Sequence, residues 1–549
     1  MKTSWIWIAV LSAALAACTP KQDVDRLLVG GVIHTGVAGA KLAEVVAIKE
    51  GRIVYVGTKA GAKAYQANTT TDLGGAHVFP GFTDAHAHLF GIGERETNLN
   101  LAGIHSLAEM LAAVRQEAKK RPEGNIVGRG WIETHWPEGR FPNRYDLDST
   151  VPGRVVILGR ADGHALVASS SALDAVGLGP QTVDPDGGRI ERDGEGAPSG
   201  ILIDYAMNLL DPLLQEPIGE QRRPVLLAGA KVMAKFGWTG MHNMSVSHDD
   251  VIQLEALTND GELPLRVYNS IDVSGLSLLE AGPRFSDDHK VITRAIKIYT
   301  DGALGSRGAA LLAPYSDAPD TDGLMLTSRE QTAPLLAEAL SKGWQIAAHA
   351  IGDKANREML TWMETAFAEA ELVTSPRWRI EHAQMVHPTD IARFAALGVI
   401  PSMQPSHAIG DLYFAGDRVG LERLVGAYAW QSLIDAGSII AGGSDAPVEQ
   451  GDPKVEFYAA TIRAGLDGFQ GDGWHKEEAV ARETALKMFT LWPAFASFQE
   501  DELGTVEVGK RADFTVFDRD LMTVPAQDIL EANVLWTIVD GQNTYKAEP

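Results

Sequence analysis

Between about residues 83 and 492, short apolar segments alternate with longer segments of helical periodicity, a pattern typical of parallel α/β proteins. The apolar segments have the length of buried strands. There are eight of them: Phe82–His86, Thr239–Val246, Leu265–Ile271, Ala295–Thr300, Gln345–Ala350, Arg379–Gln384, Val399–Gln404 and Ile439–Gly443. Two of the intervening helical segments begin with a capping box, at Ser106 and at Ser328. Eight strand–helix units predict a (β/α)8 TIM barrel.

The barrel region is longer than a minimal barrel, which takes roughly 250 residues. The long gap between the first two strands predicts a large insertion at about 125–220, rich in Gly, Pro, Trp and Asp, which could cap the mouth of the barrel. Outside the barrel, strand-like segments lie near both chain ends. They are Leu27–His34, Glu44–Lys49, Arg52–Val56, Gly504–Val508, Asp513–Phe517 and Val534–Val539. Neither end has enough strands for a stable sheet. We therefore expect residues 18–80 and 496–549 to form one composite β-sandwich beside a barrel domain at 81–495.

The first residues have the pattern of a targeting segment. One charge, Lys2, precedes an apolar run that is too short to span a membrane. The run ends in Leu15-Ala16-Ala17-Cys18, which resembles the lipobox of bacterial lipoproteins. This predicts a lipoprotein signal peptide at 1–17, lipidation of Cys18 and anchoring in the bacterial cell envelope on the periplasmic side. The alternative is a plain secretory signal followed by an incidental cysteine.

Composition limits the classes of function. The formal net charge is −24 and no basic segment stands out, which argues against a nucleic-acid partner. Contact with a membrane is expected through the lipid anchor only. Cys18 is the single cysteine, so disulfides and a thiol nucleophile are excluded. Neither a P-loop nor a G-x-S-x-G motif is present. The sequence does not indicate an oligomeric state.

Side chains that bind metals lie at the predicted carboxyl ends of the strands, where a barrel places its active site. His86 and His88 share one face of an extended strand, because side chains alternate across a strand. The other candidates follow later strands and are Lys297, His349, His382 and Asp445. This set suits one or two divalent metal ions. Nitrogen and oxygen ligands accept zinc, manganese, iron or cobalt, and we expect zinc.

Several motifs together resemble the amidohydrolase superfamily, in particular its YtcJ-like amidohydrolase-3 group, which includes enzymes of the N-substituted formamide deformylase type. The matching segments are PGFTDAHAHL, KIYTDGALGSRGAAL, AAHAIGDKA, RIEHAQM, SMQPSHA, AGGSDAPVE and VGKRADFTVFD, with GWIETHWPEGRFP and ADGHALVASSSAL in the insertion. The resemblance covers nearly the whole chain beyond the signal segment. It implies a barrel with a composite β-sandwich and hydrolysis of a carbon–nitrogen bond.

The resemblance also implies a role for each candidate ligand. His86 and His88, helped by Asp445, would hold the more buried metal, and His349 and His382 the second. Lys297 would bridge the two metals as a carboxylated lysine. Asp445 would carry protons from water to the leaving nitrogen. The alternative for Lys297 is a salt bridge to Asp301 or Glu381, with one metal bound.

Four residues are candidates for substrate contact, each with a structural alternative. Trp131 and His164 belong to the insertion and could instead pack it. Arg307 could bind a carboxylate or pair with Asp301. His407 could line the pocket or be a solvated loop histidine.

These observations predict a metal-dependent hydrolase that cleaves a small N-acyl, N-formyl or cyclic amide. An esterase or lactonase using the same centre is one alternative, because water attack on either carbonyl needs the same groups. An envelope binding protein that keeps the metal without catalysis is the other.

Overall fold

A computed structural model describes residues 21–133, 136–161, 165–185, 188–214, 217–471 and 473–548. The predicted signal peptide, Cys18 and His164 lie outside these described residues. Within the described ranges, no helix combines the length and the apolar character needed to cross a bilayer.

The centre of the molecule is an eight-stranded parallel barrel, and each predicted barrel segment forms a strand. The strands are β1 (Phe82–Ala87), β2 (Trp238–Val246), β3 (Arg266–Ile271), β4 (Val291–Tyr299), β5 (Gln345–Ala350), β6 (Arg379–His382), β7 (Ile400–Met403) and β8 (Ala441–Gly442). They pair in chain order, and the register places Lys297 beside Ala347 and His349 beside Glu381. The predicted fold class is therefore confirmed.

The barrel is nearly closed between β8 and β1 by contacts just beyond the short β8. The Asp445 N–H donates to the His86 carbonyl at 2.6 Å, and the His88 N–H donates to the Ala446 carbonyl at 2.8 Å. The Asp84 carboxylate adds bonds from the Ser444 N–H at 2.9 Å and the Ser444 hydroxyl at 2.6 Å. These contacts hold the segment after β8 against the end of β1.

Helices surround the barrel and bury one face against it. The α-helices of the barrel region are Leu89–Thr97, Arg222–Phe236, His248–Asn259, Arg329–Lys342, Asp353–Glu369, Ile391–Leu397, Pro405–Asp411, Ala415–Val419, Trp430–Asp435, Pro453–Ile462, Arg482–Met488 and Leu491–Ala496. The predicted capping box is present at Ser328, whose hydroxyl and N–H exchange hydrogen bonds with Gln331. The largest apolar cluster joins strands to helices through fully buried Trp238, Trp344 and Trp378.

The insertion after β1 contains a six-stranded sheet. Its strands are Leu99–Asn100, Ile126–Trp131, Val156–Arg160, Ala165–Ala168, Gly188–Arg192 and Pro198–Asp204. The helix Leu107–Lys120 packs on this sheet through Met110 and Val114, so the inserted structure begins before the expected position 125. Two further helices, Arg144–Thr150 and Ser170–Ala175, belong to the same segment.

Segments from both chain ends form two facing sheets. One sheet contains Arg52–Gly57, Val45–Lys49, Gln22–Val29 and Tyr65–Asp72; the other contains Val32–Ile33, His77–Pro80, Phe514–Phe517, Val534–Val539 and Gln542–Lys546. A shared apolar cluster that includes Leu28, Val46, Val78, Phe514 and Ile538 joins them. The strand predicted at Gly504–Val508 is wrong. That segment is irregular, although Val506 is buried and its N–H donates to the Thr35 carbonyl.

Candidate metal centre

The carboxyl ends of the barrel strands bring the predicted ligands together. Asp84, His86 and His88 alternate on one face of the extended β1 segment. His86 is completely buried, and its ring lies 5.5 Å from that of His88 and 4.7 Å from that of His382. The His349 ring lies 4.6 Å from that of His382. The four histidines therefore form one continuous group across β1, β5 and β6.

Asp445 lies at the centre of the ligand group. Its Oδ1 is 3.2 Å from His88 Nε2 and 3.5 Å from His86 Nε2, and its Oδ2 is 3.4 Å from His407 Nε2. A metal ion with bonds of about 2.0–2.2 Å in tetrahedral geometry separates its ligand atoms by roughly 3.3–3.6 Å. The observed separations fit this geometry. His86, His88 and Asp445 form one possible metal-binding group, and His382, His407 and Asp445 form a second.

His407 is thus closer to the centre than the sequence indicated. It is buried on the helix that follows β7, and its ring stacks on that of His382 at 5.8 Å. This arrangement is incompatible with a solvated loop histidine. His349 lies beside His382, with its Nε2 3.5 Å from Asp301, and it belongs to neither group of three. The buried Nε2 atoms of His349 and His407 have no hydrogen-bond partner among the described residues, as expected for atoms that bind a metal.

A network of buried side chains orients the histidines. His86 Nδ1 is 2.6 Å from Glu381, which also accepts two hydrogen bonds from Arg379. His382 Nδ1 is 2.8 Å from the Gln404 side-chain oxygen. Burial alone would raise the pKa of Glu381, but Arg379 and His86 hold it far below its usual value. The carboxylate therefore stays ionised and directs His86 Nε2 toward the centre, the usual role of such partners in metal sites.

Lys297 extends from β4 into the same centre. Its Nζ lies 3.4 Å from His86 Nε2 and 5.2 Å from the centre of the Tyr299 ring. It forms no ion pair with Asp301 or Glu381 among the described residues. The Asp301 oxygens instead accept three backbone hydrogen bonds, and Glu381 pairs with Arg379. Burial lowers the pKa of Lys297 to about 8, which increases the fraction of neutral amine at neutral pH.

The backbone is strained where two of the candidate ligands are presented. His382 has φ 73°, the following Ala383 has φ 41°, and Asp445 has φ 61°. Such values cost non-glycine residues of order 1–3 kcal/mol each and cluster at functional sites. At these positions the backbone turns sharply after the strand, and the side chains of His382 and Asp445 point into the mouth of the barrel.

The protonation states of His86, His349 and Asp445 favour metal binding and proton transfer. Burial lowers the pKa of His86 to about 4 and that of His349 to about 3, so both rings are neutral ligands. Burial by itself would raise the pKa of Asp445, but the neighbouring rings of His407 and His88 hold it well below its usual value. In the metal-free chain, Asp445 and Glu449 raise the pKa of His407 to about 9 against the opposing effect of burial. Asp445 is therefore an ionised carboxylate at neutral pH.

Trp131 and Arg307 lie outside this centre. Trp131 is fully buried in the insertion, and its indole N–H donates to the Leu158 carbonyl at 2.8 Å, which favours the packing role. Arg307 pairs with Asp317 at 2.8 and 3.1 Å. The suggested pairing of Arg307 with Asp301 is wrong, because backbone N–H groups already occupy that carboxylate.

A cleft of about 710 Å³ opens beside the centre. Its wall includes Ser406 and Pro447, which are close in the chain to His407 and Asp445, and Asn100 and Ala102 from the insertion. The ligands themselves are not part of this wall. Apolar side chains such as Ile409, together with charged groups such as Glu449, line it. A small molecule with an apolar part and a polar part would fit such a cleft.

A (β/α)8 barrel with histidines, an aspartate and a buried lysine at the carboxyl ends of its strands defines a metal-dependent hydrolase. The chain belongs to the amidohydrolase family, whose Amidohydro_3 profile matches residues 69–545. It is 31% identical over 530 residues to the putative amidohydrolase YtcJ of Bacillus subtilis (strain 168), covering 94% of this chain and 98% of that protein.

Two further similarities support the assignment. N-substituted formamide deformylase of Arthrobacter pascens is 29% identical over 545 residues, covering 96% of this chain and 99% of the relative. A crystal structure described as an uncharacterized metal-dependent hydrolase from Pyrococcus horikoshii OT3 superposes with a TM-score of 0.77 at 27% identity, covering 91% of this chain and 99% of that chain.

Proposed function

We propose that this hydrolase cleaves the carbon–nitrogen bond of a small non-peptide amide, either an N-acyl, an N-formyl or a cyclic amide. The position of Asp445 carries the proposal. One of its oxygens faces His86 and His88, while the other faces His407. A carboxylate in this position reaches both the metal ligands and the space in front of them. The similarity to an N-substituted formamide deformylase supports an amide substrate.

Each side chain of the centre has its own role in hydrolysis. A divalent metal bound by the histidines and Asp445 would polarise water and the substrate carbonyl. Asp445, ionised at neutral pH, accepts a proton from the attacking water and delivers it to the leaving nitrogen. His407 Nε2 lies 3.4 Å from Asp445 Oδ2, while Glu381 and Gln404 fix the rings of His86 and His382.

We propose zinc as the metal and a carboxylated Lys297 as the bridge between two ions. The neutral Lys297 amine would take up carbon dioxide to form a carbamate with release of one proton. The absence of a carboxylate partner for Nζ among the described residues supports this assignment, because a buried lysine without one is costly to keep charged. A Lys297→Ala variant that still binds two metal ions per chain would exclude the bridge.

The amide proposal is tested with matched substrates on metal-reconstituted protein. We expect higher kcat/KM for N-acyl amino acids or formamides than for esters and lactones of the same acyl group. An Asp445→Asn variant should lose about 10²–10⁴-fold in kcat. Asp260→Asn, which changes an exposed carboxylate, is the matched control. Equal turnover by wild type and Asp445→Asn would remove Asp445 from the mechanism.

The esterase alternative predicts the opposite order of substrates. If the ester of a matched pair is hydrolysed with the higher kcat/KM and the loss in Asp445→Asn is confined to the ester, the protein is an esterase on the same centre. Loss of amide activity alone indicates that nitrogen protonation by Asp445 is the critical step, since an alkoxide can leave without protonation more easily than an amide anion can.

We also propose that Cys18 anchors the protein by acyl chains on the periplasmic side of the cell envelope. The lipobox-like segment ending at Cys18 supports this. Labelled fatty acid should be incorporated into the wild type and not into Cys18→Ala. Equal labelling of the two proteins would contradict the proposal.

A further inference from the structure

A third group of metal-binding side chains lies in the composite sandwich, at the opposite end of β1 from the catalytic ligands. It contains His34, His77 and Asp520. His34 follows the strand Val32–Ile33, His77 begins the strand His77–Pro80, and Asp520 follows the strand Phe514–Phe517. These three strands are neighbours in one sheet, so their ends bring the three side chains together.

The separations of the three ligand atoms match a metal site. His34 Nε2 is 3.3 Å from His77 Nδ1 and 3.3 Å from Asp520 Oδ1, and His77 Nδ1 is 4.0 Å from Asp520 Oδ1. Tetrahedral zinc with nitrogen and oxygen ligands separates those atoms by roughly 3.3–3.6 Å. A shift of a few tenths of an ångström in His77 would complete the geometry. The third distance is too long for a direct hydrogen bond.

Hydrogen bonds alone do not explain why the three side chains lie so close together. The Nε2 atom of His34 faces two atoms, His77 Nδ1 and Asp520 Oδ1, at the same 3.3 Å distance. One N–H cannot point well at both, because hydrogen bonds weaken steeply away from linearity. A cation placed among the three atoms would satisfy all of them at once.

The three side chains are held in place by their surroundings. The His34 ring stacks on Phe79, with centroids 4.4 Å apart and planes 4° from parallel. The Asp520 carboxylate accepts the Met522 N–H at 2.9 Å and the Thr523 hydroxyl at 3.0 Å. Side chains around the ligands therefore fix their orientation, as in established metal sites. The side chains of His77 and Asp520 remain 19% and 17% exposed, which leaves room for an ion and a water ligand to enter.

We propose that His34, His77 and Asp520 form a structural zinc site, with water as the fourth ligand. The ion would join the N-terminal segments of the sandwich to the turn after its C-terminal strand Phe514–Phe517. Because structural metal sites contribute directly to folding free energy, the expected effect is on stability. This proposal does not depend on the substrate or on the catalytic metals.

The test compares metal content and thermal stability in the full-length protein. The wild type reconstituted with zinc should hold one more equivalent per chain than either His77→Ala or Asp520→Asn. Its Tm should rise with added zinc beyond the rise seen in those variants. Both variants should keep their catalytic metals and hydrolase activity. His248→Ala changes an exposed histidine on a helix and is the control.

Equal zinc content in wild type and both variants would overturn the proposal and leave a hydrogen-bonded group only. If neither variant folds, anomalous diffraction at the zinc edge on wild-type crystals decides the question. A peak among the three side chains supports the site, and no peak there excludes it.

Discussion

Lys297 is a buried ammonium group whose Nζ lies 3.4 Å from Nε2 of the neutral His86 ring and forms no ion pair with a carboxylate among the described residues. Burial lowers its pKa from 10.5 to about 8, and a lowered lysine pKa means that keeping the charge destabilises the folded chain. We expect the metal-free Lys297→Met variant to be more stable than the wild type at pH 7 by up to about 3 kcal/mol.

The lowered pKa of Lys297 also determines how the stability of the wild type changes with pH. Between pH 8 and pH 10.5 the unfolded chain binds more protons at this lysine than the folded chain, so wild-type stability rises with pH through that window. The gain in stability of Lys297→Met over the wild type is therefore largest below pH 8 and disappears toward pH 10.5. Urea unfolding at pH 7 and pH 10 in the presence of chelator measures it. Lys119→Met changes an exposed lysine and should leave the free energy of unfolding unchanged at both pH values.

Glu381 acts on the metal centre through His86. Its Oε2 is 2.6 Å from His86 Nδ1, and it is fully buried. We expect Glu381→Gln to lower metal affinity by about 10–100-fold, because removal of such a partner leaves the ring less basic and less firmly oriented. Calorimetric metal titration measures the change, with the exposed Glu369→Gln as control. Unchanged affinity would show that Glu381 serves only to neutralise Arg379.

The sequence could predict the ligands on strands but not all of the side chains around them. His86, His349 and His382 lie on or directly at the ends of apolar segments, so the barrel topology alone placed them at one rim. His407 lies on a helix beyond β7, where orientation depends on how the helix packs. Glu381 was visible as a charged residue in a buried strand, but its contact with His86 spans two distant strands.

At the scale of elements, closure of the barrel between β8 and β1 depends on hydrogen bonds made beyond the short strand β8. β8 contains two residues, and Ser444 links the following segment to Asp84 on β1. We expect Ser444→Ala to destabilise the protein by about 1–3 kcal/mol, because Asp84 Oδ2 loses its donor while buried. Chemical denaturation measures this. Ser438→Ala is the control, since its buried hydroxyl has no partner among the described residues. An equal loss in both variants would indicate cavity formation rather than loss of the bond.

Burial, composition and length decide which strands could be predicted from the sequence. The barrel strands were predictable because nearly all of their residues are buried, so apolar residues occur on both faces of each segment. The strand Tyr65–Asp72 is polar and mostly exposed, and Leu99–Asn100 contains two residues, so neither has a recognisable pattern. Gly504–Val508 has the composition of a strand but no strand partner within the described chain.

At the scale of the whole molecule, a buried ion cluster joins the barrel to the sandwich. Arg266 on β3 donates to Asp513 at 2.6 and 3.1 Å and also to Asp540. Arg266 and Asp513 are almost completely buried. Asp513 directly precedes the strand Phe514–Phe517 and Asp540 directly follows the strand Val534–Val539, so one barrel residue holds two parts of the sandwich.

We expect Arg266→Met to destabilise the protein by about 3–5 kcal/mol at pH 7, because two carboxylates lose their main partner in a buried setting. The double variant Arg266→Met/Asp513→Asn should recover part of that loss, since the two positions are in direct contact and their effects are not additive. Arg223→Met removes an exposed ion pair with Asp260 and should change stability by less than about 1 kcal/mol. Denaturant unfolding of the wild type, Arg266→Met, Asp513→Asn, the double variant and Arg223→Met measures these differences. If the double variant were as unstable as the sum of both single changes, the contribution of Arg266 would come from packing of its side chain and not from its charge.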